Sequence, residues 1–201
     1  MKKIITICLF LMSGFSMSVN AQCLTQQMCQ LYNGHVKTLV QRVQGVTGET
    51  KIAFDNTGKV LSVLYPNGNK LECTWIDDNG KIEFRGFISG FYQGIQIADV
   101  REMQPARYDF SCGGIDYEVL FNENGTMSKE ISSGGGYTRT QTYYYNPGER
   151  FPYKCVLKTA AGESLSAYTV LAKDSHDNVT KFSVTTDNQT TITTLEIEYY
   201  P

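Results

Sequence analysis

The sequence has little charge, and it has no surplus of basic residues. Only 19% of the residues are charged, and 18 basic against 20 acidic side chains give a formal net charge of −2. A nucleic-acid-binding surface needs a basic surplus to neutralise phosphates, so we expect no nucleic-acid partner. Hydrophobic residues make up 41% and aromatic residues 12% of the 201 residues, which is typical of a folded globular domain and excludes a disordered chain.

Metal-binding residues are also scarce. The two histidines are His35 and His176, and no two cysteines stand in a Cys-x-x-Cys pair. A structural zinc site needs four nitrogen or sulfur ligands at characteristic spacing. The sequence therefore predicts no metal site, and no motif in it indicates a cofactor.

Long hydrophobic runs are missing as well, because no stretch approaches the roughly 18 apolar residues of a transmembrane helix. A largely apolar run of nine residues follows two N-terminal lysines and leads to small residues that end at Ala21. This order is typical of a secretory signal peptide. We predict that residues 1–21 are removed, and that residues 22–201 form one exported domain with no transmembrane segment, either periplasmic, associated with the outer membrane or secreted.

Removal of the signal peptide takes away Lys2 and Lys3, so the net charge becomes −4. It leaves five cysteines, for which export to an oxidising compartment predicts disulfide bonds. Two bridges and one free thiol are compatible with an odd number, and the sequence does not decide the pairing. The disulfide candidates are Cys23, Cys29, Cys73, Cys112 and Cys155.

Beyond Gly45 the chain consists of short β-prone runs separated by clusters of Gly, Asn and Asp. In the last run Leu195, Ile197 and Tyr199 alternate with Glu196 and Glu198. Such alternation leaves one face in water, which suits an antiparallel sheet. We predict an all-β, hairpin-rich meander with strands near 59–65, 70–76, 81–84, 115–121, 126–131, 137–145, 153–158, 164–172, 181–185 and 190–200.

The segment 24–44 is ambiguous. Leu24, Met28 and Leu31 have helical spacing, which allows a short N-terminal helix. The residues 34–43 alternate in part and are rich in β-branched side chains, which favours a strand there.

A turn pattern, Asp or Asn followed by x-x-Gly-x-apolar, begins at Asp55, Asp77 and Asn122. A degenerate copy begins at Asp174, with Asp177 in the glycine position. The first side chain can accept backbone N–H bonds, and the glycine supplies the positive φ that returns the chain. The spacing fits either a degenerate repeat or ordinary hairpin loops, and both interpretations stay open.

The closing copy carries a family resemblance. Residues 173–181 (KDSHDNVTK), followed by 196–200 (EIEYY), resemble the repeats of Rhs/YD-like secreted proteins, and most closely small exported proteins of Bacteroidetes-type bacteria. Their repeat reads Tyr-Asp-x-x-Gly-Asn-Trp-x-Lys, whereas this chain has Lys173, Asp177 and Val179 at the tyrosine, glycine and tryptophan positions. The resemblance implies a turn-and-strand architecture and export, and it carries no catalytic residue.

One strand suggests a binding surface, because polar and aromatic side chains share one of its faces. Tyrosines among polar groups can stack on sugar rings or on apolar groups of a partner, although core tyrosines would give the same pattern. We therefore predict an exported binding or scaffold module of the cell envelope, with a glycan or an envelope protein as partner. The candidate binding residues are Tyr137, Arg139, Tyr143 and Tyr145, with Gln141 between them.

Two other functions stay open. An exposed sheet edge could pair with another chain in a larger envelope assembly. A glycan-acting hydrolase would need a pair of carboxylates, for which the candidates are Asp109, Asp116, Glu118 and Glu198. No motif orients such a pair, so the sequence favours a non-enzymatic role without deciding the matter.

Overall fold

A computed structural model of the chain describes residues 32–75, 81–88, 91–99, 101–104, 107–112 and 115–201. Several predicted features lie outside these residues: the signal peptide at 1–21, Cys23 and Cys29, the possible helix at 24–31, and the loop of the Asp77 turn.

All regular structure in the described part of the chain is β-strand, so the predicted all-β antiparallel class is confirmed. The strands are Val36–Val43 (β1), Thr50–Phe54 (β2), Val60–Leu64 (β3), Lys70–Trp75 (β4), Lys81–Ile88 (β5), Phe91–Asp99 (β6), Arg101–Gln104 (β7), Arg107–Cys112 (β8), Ile115–Phe121 (β9), Met127–Gly134 (β10), Tyr137–Tyr144 (β11), Lys154–Thr159 (β12), Gly162–Lys173 (β13), Val179–Thr186 (β14) and Gln189–Tyr199 (β15).

These strands form one sheet in the order β6-β5-β4-β3-β2-β1-β15-β14-β13-β12-β11-β10-β9-β8-β7. Each neighbour is the next strand along the chain except where β1 pairs with β15. The two outer strands are consecutive, with one residue between Asp99 and Arg101. Because successive Cα atoms are about 3.8 Å apart, the two edges of the sheet meet there. The sheet is therefore rolled and has an inner and an outer face.

The inner face carries the apolar core, because strand alternation sends every second side chain inward. Leu39 and Phe54 are almost completely buried, and Leu195 is buried while its neighbours Glu196 and Glu198 are exposed, as the alternation predicted. The core is formed by Val36, Leu39, Ile52, Phe54, Val60, Val63, Leu71, Cys73, Tyr117, Val119, Phe121, Met127 and Leu195.

Among the described residues, the outer face carries ion pairs and also exposed apolar side chains such as Leu165. Single exposed ion pairs contribute only about 0–1 kcal/mol each to the free energy of unfolding. Their main effect is to keep this part of the surface hydrated. Strand β3 exposes Leu61 and Leu64 here. The outer pairs are Lys37 with Glu198, Arg42 with Glu49 and Glu196, Lys70 with Glu72, and Arg107 with Glu118.

The predicted turns have one common backbone geometry. At Asp55 the carboxylate accepts the N–H groups of Thr57 and Lys59 at 2.8 and 2.9 Å. The N–H of Gly58 donates to the Asp55 carbonyl at 3.0 Å, and Gly58 has a φ of 86°. The loop at Asn122 repeats the backbone bond, from the Gly125 N–H to the Asn122 carbonyl at 2.9 Å. Its side-chain acceptor is Asn124 Oδ1, which takes the Thr126 N–H at 3.1 Å, so the first residue does not accept a backbone N–H here as Asp55 does.

The degenerate copy at Asp174 has the same geometry without the glycine. The Asp174 carboxylate accepts the N–H groups of His176 and Asn178, both at 2.9 Å. Asp177 adopts a φ of 63°, a left-handed conformation that is costly for most residues but tolerable for Asp and Asn. The predicted substitution of aspartate for glycine is thus accommodated by the backbone.

Replacement of Gly68 by alanine should lower the free energy of unfolding by about 1 kcal/mol, or about 2–4 °C in Tm, because its φ of 80° disfavours an L side chain. No atom lies within 4 Å of the added Cβ, so the effect isolates backbone strain. Gly86→Ala is the control, because Gly86 has no positive φ and equal space around it. Thermal and urea unfolding measure both variants, and equal losses would contradict the turn mechanism.

Candidate functional site

A cavity of about 320 Å³ opens at the end of the rolled sheet where the Asp174 turn lies. This volume is within the range of about 300–1,000 Å³ typical of small-molecule sites. Strands β1, β11, β13, β14 and β15 contribute to its wall, together with the segment 148–152 between β11 and β12. The cavity therefore spans the pairing of β1 with β15.

Three rings line one side of the cavity and are called the aromatic wall: Phe151, Tyr168 and Phe182. The ring centroids of Phe151 and Phe182 are 4.9 Å apart, and those of Phe151 and Tyr168 are 6.1 Å apart. These tilted and edge-on contacts are the arrangements that aromatic quadrupoles favour. The wall is therefore self-supporting and leaves ring surface facing the cavity.

Three polar side-chain groups line the cavity and make no hydrogen bond to any group in the described part of the chain. They are the amide of Gln41 and the hydroxyls of Tyr143 and Tyr168. Gln41 is only 7% exposed. None of their polar atoms is enclosed without a partner, so all three reach the open space of the cavity. Water or a ligand in the cavity can therefore satisfy them.

The two cavity phenols stay protonated. Burial raises the pKa of Tyr143 well above its ordinary value, and the nearby Cys155 and Glu130 act in the same direction. Burial likewise raises the pKa of Tyr168. Because a neutral phenol can both donate and accept a hydrogen bond, each hydroxyl can meet an alcohol or a carbonyl group of a ligand.

Charged side chains occur only at the mouth of the cavity. Lys173 Nζ lies 3.0 Å from Asp177 Oδ1 and 4.0 Å from Glu149 Oε2. Arg150, which also lines the mouth, is exposed. The deeper lining side chains are themselves neutral, and Glu130 lies behind Tyr143, close enough to raise its pKa.

A hydrogen-bonded cluster, the mouth cluster, fixes one side of the opening and consists of Asn33, Asp174, Asn178 and Tyr199. The Tyr199 hydroxyl donates to Asp174 Oδ2 at 2.5 Å and accepts from Asn178 Nδ2 at 2.6 Å. The N–H of Asn33 donates to Asn178 Oδ1 at 2.7 Å. The cluster joins the segment before β1 to the turn between β13 and β14.

Electrostatics within the mouth cluster favour the charged carboxylate. Burial acts to raise the pKa of Asp174, but the hydrogen bonds from Tyr199 and from two backbone N–H groups outweigh it, so the pKa is lowered. Burial and the bond to Asp174 raise the pKa of Tyr199 to about 12. The Tyr199 hydroxyl therefore remains a donor to an ionised Asp174.

The predicted binding residues are divided between three environments. Tyr143 lines the cavity, and Tyr137 is 46% exposed at the end of β11. The Tyr145 hydroxyl donates to the Met127 carbonyl at 2.7 Å. Arg139 is mostly buried and has protein partners of its own, so Tyr143 is the member of the predicted set that faces the cavity.

Arg139 belongs to a buried polar array that the sequence did not indicate. Its Nη2 donates to Gln141 Oε1 at 2.6 Å and lies 3.8 Å from Glu130 Oε1. Glu130 is 4% exposed, and its burial raises the pKa of the carboxyl group although Arg139 acts in the opposite direction. The array is distinct from the cavity wall, to which none of these three residues belongs.

Two of the predicted disulfide candidates are free thiols. Cys73 and Cys155 are both buried on the inner face. Burial raises the pKa of Cys73 to about 12 and that of Cys155 to about 11, so neither is a reactive thiolate at neutral pH. With these two thiols free, the three other candidates allow at most one bridge, so two bridges and one free thiol are not what the structure shows. A single bridge among Cys23, Cys29 and Cys112, whose side chains lie outside the described part, stays a prediction.

The candidate hydrolase carboxylates do not meet at the cavity. Glu198 pairs with Lys37 on the outer face, Glu118 pairs with Arg107 at 3.5 Å, and Asp116 is exposed. Asp109 lies opposite Glu118 in the pairing of β8 with β9. Within the described ranges, no group of three His, Cys, Asp or Glu side chains is placed to hold a metal ion. Those ranges also contain no helix long and apolar enough to cross a membrane.

No protein-family model and no curated protein matches the chain. Solved structures similar to it include a porin-like protein from Bacteroides uniformis, at 10% identity and a TM-score of 0.36, which covers 83% of this chain and 98% of that one. Another is a porin-like protein from Bacteroides vulgatus, at 9% identity and a TM-score of 0.49, with 84% and 100% covered. These values establish neither a common family nor a shared function. The resemblance to Rhs/YD-like repeats stays a prediction.

Asp174→Asn should lower the free energy of unfolding at pH 7 by about 1–2 kcal/mol, because an amide N–H would face the Tyr199 hydroxyl in place of a charged acceptor. Since folding lowers the pKa of Asp174, its contribution is present above the unfolded value near 4 and is lost as pH falls through the folded value. Urea unfolding between pH 7 and pH 3 should show the two proteins converging in acid.

The matched control for this experiment is Asp177→Asn in the same turn. Asp177 is exposed, its positive φ suits Asn, and it loses only an exposed ion pair with Lys173. We expect a change of no more than about 0.5 kcal/mol at any pH. A difference for Asp174→Asn that persists undiminished at pH 3 would contradict the role of the charged carboxylate.

Proposed function

We propose that this chain is an exported binding protein of the cell envelope that takes a small molecule into its interior cavity. The observation that carries the proposal is the set of three polar groups, on Gln41, Tyr143 and Tyr168, that line an otherwise largely apolar cavity without protein partners. These groups reach the open cavity, where water can satisfy them. A ligand that enters would replace this water and use the same hydrogen-bonding groups.

The neutrality of the deeper wall supports binding rather than hydrolysis. A glycoside hydrolase needs two carboxylates flanking the bond to be cleaved. The acids at the mouth, Glu149 and Asp177, both lie near Lys173, and Glu130 is outside the cavity wall. No described lining group is therefore placed as a free acid and base pair.

The two faces of the sheet have different chemistry, which supports an interior ligand. The outer face bears ion pairs such as Lys37 with Glu198, whereas the aromatic wall and Leu195 lie inside. Assembly through a sheet edge is less well supported, because the outer strands β6 and β7 meet between Asp99 and Arg101. The outward-facing tyrosine of the predicted surface, Tyr137, offers only a small platform for a glycan or an envelope protein.

Export rests on the N-terminal pattern of the sequence. We expect the mature protein recovered from the cell envelope or the medium to begin at Gln22, because cleavage after Ala21 removes the basic and apolar regions together. Mass spectrometry of the intact protein and of its N-terminal peptide measures this. Recovery of the uncleaved chain from the cytoplasm alone would contradict export, while leaving the cavity proposal to its own test.

Small-molecule binding is tested by thermal shift against a broad library of metabolite-like compounds. Ligands of the cavity should raise the Tm of the unaltered protein and should lose this effect in Leu195→Trp, because Leu195 lines the cavity and the larger ring fills it. The control is Leu165→Trp on the outer face of β13, where Leu165 is 49% exposed. This variant should keep every shift.

Folding of the filled variant is checked by circular dichroism, and Val179→Phe replaces it if the larger side chain prevents folding. Val179 is buried and lines the same cavity near its mouth. Compounds that shift the unaltered protein and both filled variants equally bind elsewhere. A library without any cavity-dependent ligand would overturn the proposed function.

A further inference from the structure

Resting on the proposed function, we infer that the cavity selects a neutral, ring-bearing molecule with a single hydroxyl or carbonyl group. In this arrangement the ring packs against the aromatic wall of Phe151, Tyr168 and Phe182. The oxygen of the ligand meets the Gln41 amide and the Tyr143 hydroxyl. The size, the charge and the hydrogen-bonding capacity of the cavity each restrict the ligand to this class.

The depth of the cavity separates its charged rim from its neutral interior. Lys173 and Val179 lie opposite each other in the pairing of β13 with β14 at the mouth. Tyr168 lies five residues further along β13, which corresponds to roughly 16 Å at about 3.3 Å per residue. A ligand in contact with Tyr168 is therefore well removed from Lys173. Phe151, in contrast, follows Glu149 and Arg150 directly, so the aromatic wall reaches the rim on its Phe151 side.

Ionised ligands are excluded from this depth because the lining offers no compensating charge. Transfer of an unpaired charge from water into a low-dielectric site is strongly unfavourable. The lining residues below the rim, Gln41, Tyr143, Phe182 and Leu195 among them, carry no charge to compensate it. A carboxylate or an ammonium group inside would lack a partner, so the part of the ligand that enters is neutral.

Hydrogen-bonding capacity separates a simple ring alcohol or ketone from a sugar. The cavity offers three polar groups without protein partners, while Phe151, Phe182, Val179 and Leu195 present apolar surface. A sugar ring brings hydroxyl groups on most of its carbons, and several would be buried against this apolar surface without partners. A ring with one oxygen function uses the polar groups and leaves the rest of its surface to apolar contact.

Four probes test this inference by titration calorimetry on the purified exported protein at pH 7. They are 2-naphthol, naphthalene, 2-naphthoate and methyl glucoside, which differ in the polar group or in the ring. We expect 2-naphthol to bind at least about tenfold more tightly than 2-naphthoate, because only the acid brings a charge. We expect 2-naphthol to bind about threefold to tenfold more tightly than naphthalene, because only 2-naphthol has a hydroxyl group. We expect no measurable binding of methyl glucoside.

Variants locate the contacts. Gln41→Leu should weaken 2-naphthol by about threefold to tenfold and leave naphthalene unchanged, since it removes a hydrogen-bonding group at similar volume. Phe182→Ala should weaken both probes, because it removes part of the aromatic wall. Gln189→Leu is the matched control on an exposed site at the start of β15 and should change neither. If Gln41→Leu does not fold, Tyr143→Phe replaces it with the same expectation.

Each other outcome contradicts the inference in a distinct way. Tighter or equal binding of 2-naphthoate would assign recognition to the charged rim, and binding of methyl glucoside would assign it to a sugar. If Gln41→Leu weakens the binding of 2-naphthol and of naphthalene equally, Gln41 does not form a hydrogen bond with the ligand. If no probe binds while the library yields Leu195-dependent ligands, the inferred class is wrong and the proposed function stands. If both experiments are negative, both fall.

Discussion

The pairing of β1 with β15 is the interaction on which the rest of the structure depends. Every other strand pair in the described sheet joins neighbours along the chain, whereas this one brings Gln41 opposite Leu195. Both of these residues line the cavity. Without this pairing β1–β6 and β7–β15 would be two separate meanders, and neither would be held against an opposite wall to bury its apolar side chains.

Several independent interactions stabilise that pairing. The N–H of Tyr200 donates to the His35 carbonyl at 2.8 Å at one end, and the N–H of Gln44 donates to the Ile192 carbonyl at 2.8 Å at the other. The mouth cluster adds side-chain bonds from the segment before β1, through Asn33, to the turn after β13. The same bonds that close the sheet therefore also shape the entrance of the cavity.

Local pattern predicted what depends on local chemistry. The run 115–121 is a strand with those bounds, the run 34–43 contains β1, and the turn at Asp174 forms even with Asp177 in place of glycine. Strands β2, β6, β7 and β8 were not predicted, although residues 107–112 alternate polar and apolar side chains. The cavity and the Glu130 array could not be predicted from the sequence. The pairing of Gln41 with Leu195 and the proximity of Glu130 to Arg139 depend on which strands pair and not on spacing along the chain.

Two kinds of buried polar group distinguish structural from functional sites inside this sheet. In the Glu130 array, Arg139 lies between a carboxylate and the Gln141 amide, so charge and hydrogen-bonding groups face each other within the protein. At the cavity, the Gln41 amide and the Tyr143 hydroxyl face open space instead. A polar group that has protein partners contributes to the specificity of the fold. One that faces the open cavity can exchange its water for a ligand, and that accessibility is the physical reason to assign binding to the cavity rather than to the array.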